Sequence, residues 1–131
     1  MITITPIYSV PLALLLIFLS IRIIQIRSKN GVAIGFQSDD YLQRAIRVQA
    51  NFVEYVPFSL VLISFAELRE ISVLVIHILC IMLVLGRFLH AYGVSQVAED
   101  LRFRQVGMGL TFSCLIFACL AVTASYILNF D

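Results

Sequence analysis

The sequence predicts an all-α fold: an integral membrane bundle of four helices forming one domain across residues 1–131. Two observations carry that reading. Hydrophobic residues make up 61% of the chain against 13% charged, with a mean hydropathy of +1.01. A soluble domain of this size leaves too large a share of its surface in water to hide so much apolar side chain. The apolar residues also fall into four long runs separated by polar connections, and in lipid a helix satisfies its own backbone hydrogen bonds. The net charge of +1 is silent about partners, but no basic patch interleaves with aromatics, which argues against a nucleic-acid partner.

The first helix is expected over residues 7–26, interrupted by Arg22, with Pro11 in the opening turns where proline is best tolerated. No basic residue precedes this run and no small-residue cleavage site follows it. It should therefore remain as a membrane helix rather than leave as a signal peptide. A polar connection, Arg27-Ser28-Lys29-Asn30-Gly31 and then Gly35, leads to Ser38-Asp39-Asp40, a helix N-cap with acid in the first turn. The second helix is expected over 40–67, the third over 72–92 after a tight hairpin from Leu68 to Ile71. The fourth is expected over 105–129, after a connection carrying Glu99, Asp100, Arg102 and Arg104.

The second helix carries a polar ladder from Arg47 to Pro57. At about 100° per residue, Arg44, Arg47, Asn51, Glu54 and Tyr55 fall within roughly a 100° arc. Such groups are expensive in hydrocarbon, so they should face a bundle interior, a partner subunit or a wet pocket. Gln49 points roughly opposite, towards a neighbouring subunit or into packing. On the third helix Arg87, His90 and Val94 share a face. His77 lies about 20 Å from His90 along that helix, too far to share a metal, and reads as a packing residue. No metal site is expected. Cys80, Cys114 and Cys119 sit in apolar runs without a CxxC pair and read as small buried hydrophobes. Arg102 and Arg104 point nearly opposite ways in a helix, so only one should reach a common site, the other snorkelling to lipid head groups.

Positive charge is lopsided. Arg22, Arg27, Lys29, Arg44, Arg47, Arg87, Arg102 and Arg104 group at one end of the bundle, leaving Arg69 at the other. By the positive-inside rule the crowded end is cytoplasmic and both termini lie opposite. An interhelical Arg–Glu pair that only holds the bundle together is the structural alternative for the ladder. One Glu cannot neutralise so many arginines, however, and converging cationic donors suit an anionic ligand.

The pattern Arg47-x-Gln49-x-Asn51-x-x-Glu54-Tyr55-x-Pro57 closely resembles the signature of the MAPEG family, the membrane-associated proteins of eicosanoid and glutathione metabolism. The stretches Gly86 to Gly93 and Phe103 to Met108 are similar to the third- and fourth-helix motifs of bacterial members. The resemblance implies a four-helix protomer in a homotrimer of a bacterial inner membrane, with glutathione between subunits at the cytoplasmic end. By that resemblance Arg47, Asn51, Glu54 and Tyr55 hold glutathione, with His90 contacting it from the third helix beside Arg87. Gln49, with Arg22 or Arg27, would reach it from the neighbour. An arginine near the start of the fourth helix, Arg104 or else Arg102, would stabilise the thiolate. Val94 stands where the eicosanoid enzymes carry a tyrosine, so their specificities do not transfer.

These residues are chemically suited to that ligand. Glutathione carries two carboxylates and one ammonium, matching several arginines with one acid, for which Glu54 is placed. A guanidinium near the thiol favours the thiolate nucleophile. Lipophilic electrophiles or lipid hydroperoxides would arrive from the bilayer. Two other readings remain at this level: a small proton-coupled exporter titrating Glu54, and a non-catalytic family member binding lipid or a partner protein.

Overall fold

The computed structural model describes residues 1–96, 98 and 100–128. Four helices run in order, α1 (Thr5–Asn30), α2 (Asp40–Leu68), α3 (Val73–Ser95) and α4 (Leu101–Leu128), each long and apolar enough to cross a membrane. The chain is thus an all-α integral membrane bundle. Residue 129, placed in the fourth helix from sequence, and Glu99 of the preceding connection lie outside the described residues.

The helix ends follow local chemistry. The Asp39 carboxylate accepts the backbone N–H of Tyr41 and Leu42 at 2.9 and 3.1 Å, the cap that starts α2. α1 continues past residue 26 to Asn30 and stops at Gly31, whose left-handed φ of 66° directs its N–H to the Arg27 carbonyl. α4 begins at Leu101 rather than 105 because the Asp100 carboxylate takes the Arg102 N–H at 3.0 Å. Both Arg102 and Arg104 therefore lie inside the helix.

The core runs through the bundle as Leu12, Leu19, Val48, Ile63, Ile76, Leu83, Cys114 and Ala118, all buried. A smaller cluster of Ile23, Val32, Leu42 and Ala45 pins the α1–α2 loop against the bundle. Cys80 and Cys114 are buried as the sequence suggested, but Cys119 is exposed on the outer side of α4. Much of the outer surface is bare apolar side chain, including Leu14, Phe18, Phe58, Leu74 and Ile116, as suits contact with lipid or other membrane helices.

The α3–α4 contact sets the site, and glycine makes it possible. A Cβ added at Gly107 would sit 2.6 Å from the His90 backbone nitrogen, and one at Gly86 would sit 2.9 Å from the Gly107 carbonyl oxygen. At Gly93 it would meet the Arg104 backbone nitrogen at 2.9 Å. Small residues let membrane helices approach at backbone distance. Here the approach brings His90 of α3 and Arg104 of α4 to one depth.

Candidate functional site

The two ends of the bundle are chemically opposite. At the end holding the termini, Glu67 near the last turn of α2 is buried and accepts five hydrogen bonds from the start of the chain. The Ile4 and Thr5 backbone N–H groups donate at 2.6 and 2.9 Å, and the Thr5 hydroxyl at 2.6 Å. The Thr3 N–H and hydroxyl complete the set. A carboxylate over the first turn of a helix satisfies orphan N–H groups and complements the helix dipole. Arg69 is equally engaged: it donates to the Ser125 carbonyl at 2.9 Å and lies 4.4 Å from the centre of the Tyr126 ring. His77 meets the Tyr8 hydroxyl through Nδ1 at 2.9 Å. The sequence reading treated Glu67 only as a helix end. Its signal was a lone acid in an apolar turn, which must find donors if it is buried.

At the other end α2, α3 and α4 enclose a polar cleft of about 330 Å³. Arg44, Arg47 and Asn51 enter it from α2, His90 and Val94 from α3, and Arg104 from α4; Asp40 and Gln43 close its outer rim. Of Arg102 and Arg104, it is Arg104 that lines this cleft. Arg102 is exposed and does not line the cleft. Arg44 also reaches the Val94 carbonyl at 3.4 Å.

Behind the cleft wall lies Arg87, only 1% exposed. Its Nη2 donates to the Asn51 side-chain oxygen at 2.8 Å and its Nη1 approaches the Met108 sulfur at 3.9 Å. Its Nε makes no hydrogen bond among the described residues. An amide and a thioether do not compensate a buried guanidinium, and such an arrangement is costly without a nearby negative charge. Asn51, one of the cleft-lining groups, is held in place by this contact.

The remaining site residues named from sequence lie elsewhere. Tyr55 stacks edge-to-face on Phe112 of α4, ring centres 5.4 Å apart. Glu54, one turn past Asn51, is exposed and does not line the cleft; the carboxylate that does is Asp40. Gln49 donates to the Ser20 hydroxyl of α1 at 2.7 Å. Arg27 donates to the Ala33 carbonyl at 3.0 Å. Arg22 donates to the Ser95 hydroxyl at 2.6 Å and lies 4.8 Å from the centre of the Tyr41 ring. Within one chain, then, the α2–α4 residues converge, while Gln49, Arg22 and Arg27 are carried on a different side.

Among the described residues the cleft offers three guanidinium groups, an imidazole, two side-chain amides and one carboxylate. Guanidinium forks bind carboxylates and phosphates with two parallel hydrogen bonds, and the single acid can take an ammonium.

Comparison with known proteins bears on this arrangement. The chain is 36% identical over 118 residues to Inner membrane protein YecN of Escherichia coli strain K12, covering 90% of this chain and 88% of that protein. The same protein from Escherichia coli O6:H1 matches equally. No solved structure matches at a significant level. The model of the MAPEG family matches residues 5–124, which takes in all of α1, α2 and α3, nearly all of α4, and every residue of the cleft. This protein therefore belongs to the MAPEG family.

Proposed function

We propose that the chain is a glutathione-dependent transferase or peroxidase of the bacterial inner membrane, binding the tripeptide in the α2–α4 cleft. The observation that carries the reading is the convergence of Arg44, Arg47, Asn51, His90 and Arg104 on one cleft, with Asp40 at its rim, backed by buried Arg87. Glutathione, with two carboxylates and one ammonium, has the complementary charges. Arg47 and Arg44 would take the carboxylates, Asp40 the ammonium, and Asn51 and His90 would orient the backbone of the ligand. The cleft's volume lies at the small end of the roughly 300–1,000 Å³ usual for small-molecule sites. A homotrimer would complete it, with Gln49 and Arg27 of a neighbouring copy, and with Glu54 and Tyr55 of the home copy, closing around the ligand. We prefer Arg27 to Arg22 because Ser95 and Tyr41 hold Arg22 at the separate groove between α1 and α3.

Arg104 would be the catalytic residue. Its guanidinium beside the sulfur favours loss of the thiol proton, and the thiolate then attacks. In conjugation the sulfur forms a bond to an electrophilic carbon, and the displaced electron pair leaves with a leaving group or takes up a proton. In peroxide reduction the sulfur attacks the outer oxygen of a lipid hydroperoxide, the O–O bond breaks and an alcohol leaves. A second glutathione then releases water and the disulfide. The excess of basic residues at this end supports a cytoplasmic placement by the positive-inside rule, which would put both termini on the opposite side. The inner-membrane placement follows the name of the YecN relative.

Titration of detergent-purified protein with glutathione, followed by the ultraviolet thiolate band, tests the reading. A band that saturates in the wild type and disappears in Arg104→Ala, while Arg102→Ala keeps it, supports it. Absence of the band, together with no heat of glutathione binding, would replace it with a non-catalytic membrane protein that keeps the cleft for packing.

A further inference from the structure

A second cavity lies on the opposite side of α3 from the cleft. It is an open groove of about 940 Å³ between α1 and α3, floored by Leu15, Leu19 and Ala91 and walled by Leu14, Phe18 and Phe88. None of the residues lining it lines the polar cleft. The groove is apolar along its length and polar at one end only, where Arg22, Tyr41, Ser95 and Gln96 gather.

Two features specify an occupant. The first is length. From Pro11 to Arg22 along α1 the groove extends about 16 Å at the helical rise, close to the roughly 15 Å of hydrocarbon in one leaflet. One acyl chain fills such a slot while its head group stays at the polar end. The second is charge. Arg22 bonds to the Ser95 hydroxyl and carbonyl at 2.6 and 3.5 Å and packs on the Tyr41 ring, all neutral partners. Those bonds fix the guanidinium at the groove mouth, and among the described residues they leave its charge without an acid and some of its five donors unused. The Tyr41 ring packs against it, and Tyr92 also lines the groove, as amphipathic rings do at head-group depth.

We propose that the α1–α3 groove is a binding site for an anionic phospholipid, with one acyl chain lying along Leu14, Phe18 and Phe88 and the phosphate on Arg22. The phosphate matches the guanidinium fork and supplies the missing negative charge. A zwitterionic lipid offers the same chain, but its head-group cation weakens the contact.

The chain contains no tryptophan, so a single one reports its own surroundings. Leu14→Trp places it in the groove; Ile116→Trp places it on the outer face of α4. Both positions are exposed, at 61% and 58%, and should tolerate the change. Each variant is reconstituted with phosphatidylglycerol or phosphatidylcholine bearing brominated acyl chains, which quench tryptophan on contact. Quenching at Leu14→Trp should reach half its maximum at about tenfold less phosphatidylglycerol than phosphatidylcholine, the ratio one charge-assisted contact supports. Quenching at Ile116→Trp should not distinguish the lipids. Equal quenching by the two lipids at Leu14→Trp overturns the proposal, and this comparison is made with Arg22 intact. Adding Arg22→Gln to Leu14→Trp should abolish the preference; a preference that survives overturns the assignment of the phosphate to Arg22.

Discussion

The two ends of this bundle handle buried charge in opposite ways. At the terminal end one carboxylate, Glu67, is surrounded by five donors from Thr3, Ile4 and Thr5, where the chain enters α1, and the nearby Arg69 donates to the Ser125 carbonyl of α4. Among the described residues, both of these charges are taken up within the chain. At the cleft end Arg44, Arg47 and Arg104 surround an open volume with one acid among them, and Arg87 is buried on an amide and a thioether. A charge ringed by donors on every side holds a structure together, whereas several guanidinium groups lining one cleft suit an incoming anion.

The comparison can be broken most severely at Glu67. Glu67→Ala strips the partners from the Thr3, Ile4 and Thr5 N–H groups and should lower stability by about 3–5 kcal/mol. Thermal denaturation in detergent would read the loss, and glutathione affinity of the fraction still folded should not change. Next is the glycine seam. Gly107→Ala forces a methyl into the His90 backbone and should cost about 1–3 kcal/mol, weakening ligand binding because His90 and Arg104 move apart. Gly109→Ala is the matched control: a Cβ there meets nothing within 4 Å, so it should leave both quantities unaltered.

Arg87→Met sharpens the contrast from the other side. Replacing an incompletely satisfied buried cation with an apolar chain should leave thermal stability unchanged or raise it. Glutathione affinity measured by calorimetry should fall about tenfold, as the lost attraction of one partly buried charge implies. An equal loss of stability and affinity would show that Arg87 supports the fold rather than the ligand. The smallest effect is expected in the α2–α3 hairpin, where Glu70 holds a left-handed φ of 56°. Glu70→Gly should relieve that strain and raise stability by about 0.5–1 kcal/mol, seen as a modest rise in Tm with the cleft unaffected.

Much of the molecule was legible in advance because lipid simplifies the problem. With no water to receive backbone polar groups, four apolar runs of spanning length can only be four helices, and Arg44, Arg47 and Asn51 share a face by the helical period alone. The Asp39 cap and the division between Arg102 and Arg104 are equally local: one depends on two peptide N–H groups, the other on two residues of rotation. These features are determined by the chain's own repeat and need no knowledge of its neighbours.

Depth and partnership were decided only when the helices packed. The helical period places Glu54 on the same face as Arg47, yet the cleft stops at Asn51, where Arg87 of α3 meets it, and the acid that enters is Asp40. Gln49, left open between a neighbouring subunit and packing, spends its amide on Ser20, a residue 29 positions away. Glu67 becomes a structural clasp because the first residues of α1 arrive over it from 62 to 64 positions away. Periodicity specifies direction around a helix axis, but the height at which two helices meet is set by where their backbones can touch. In this protein that height is set by Gly86, Gly93 and Gly107, and a glycine shows its importance only against the atoms it allows to come close.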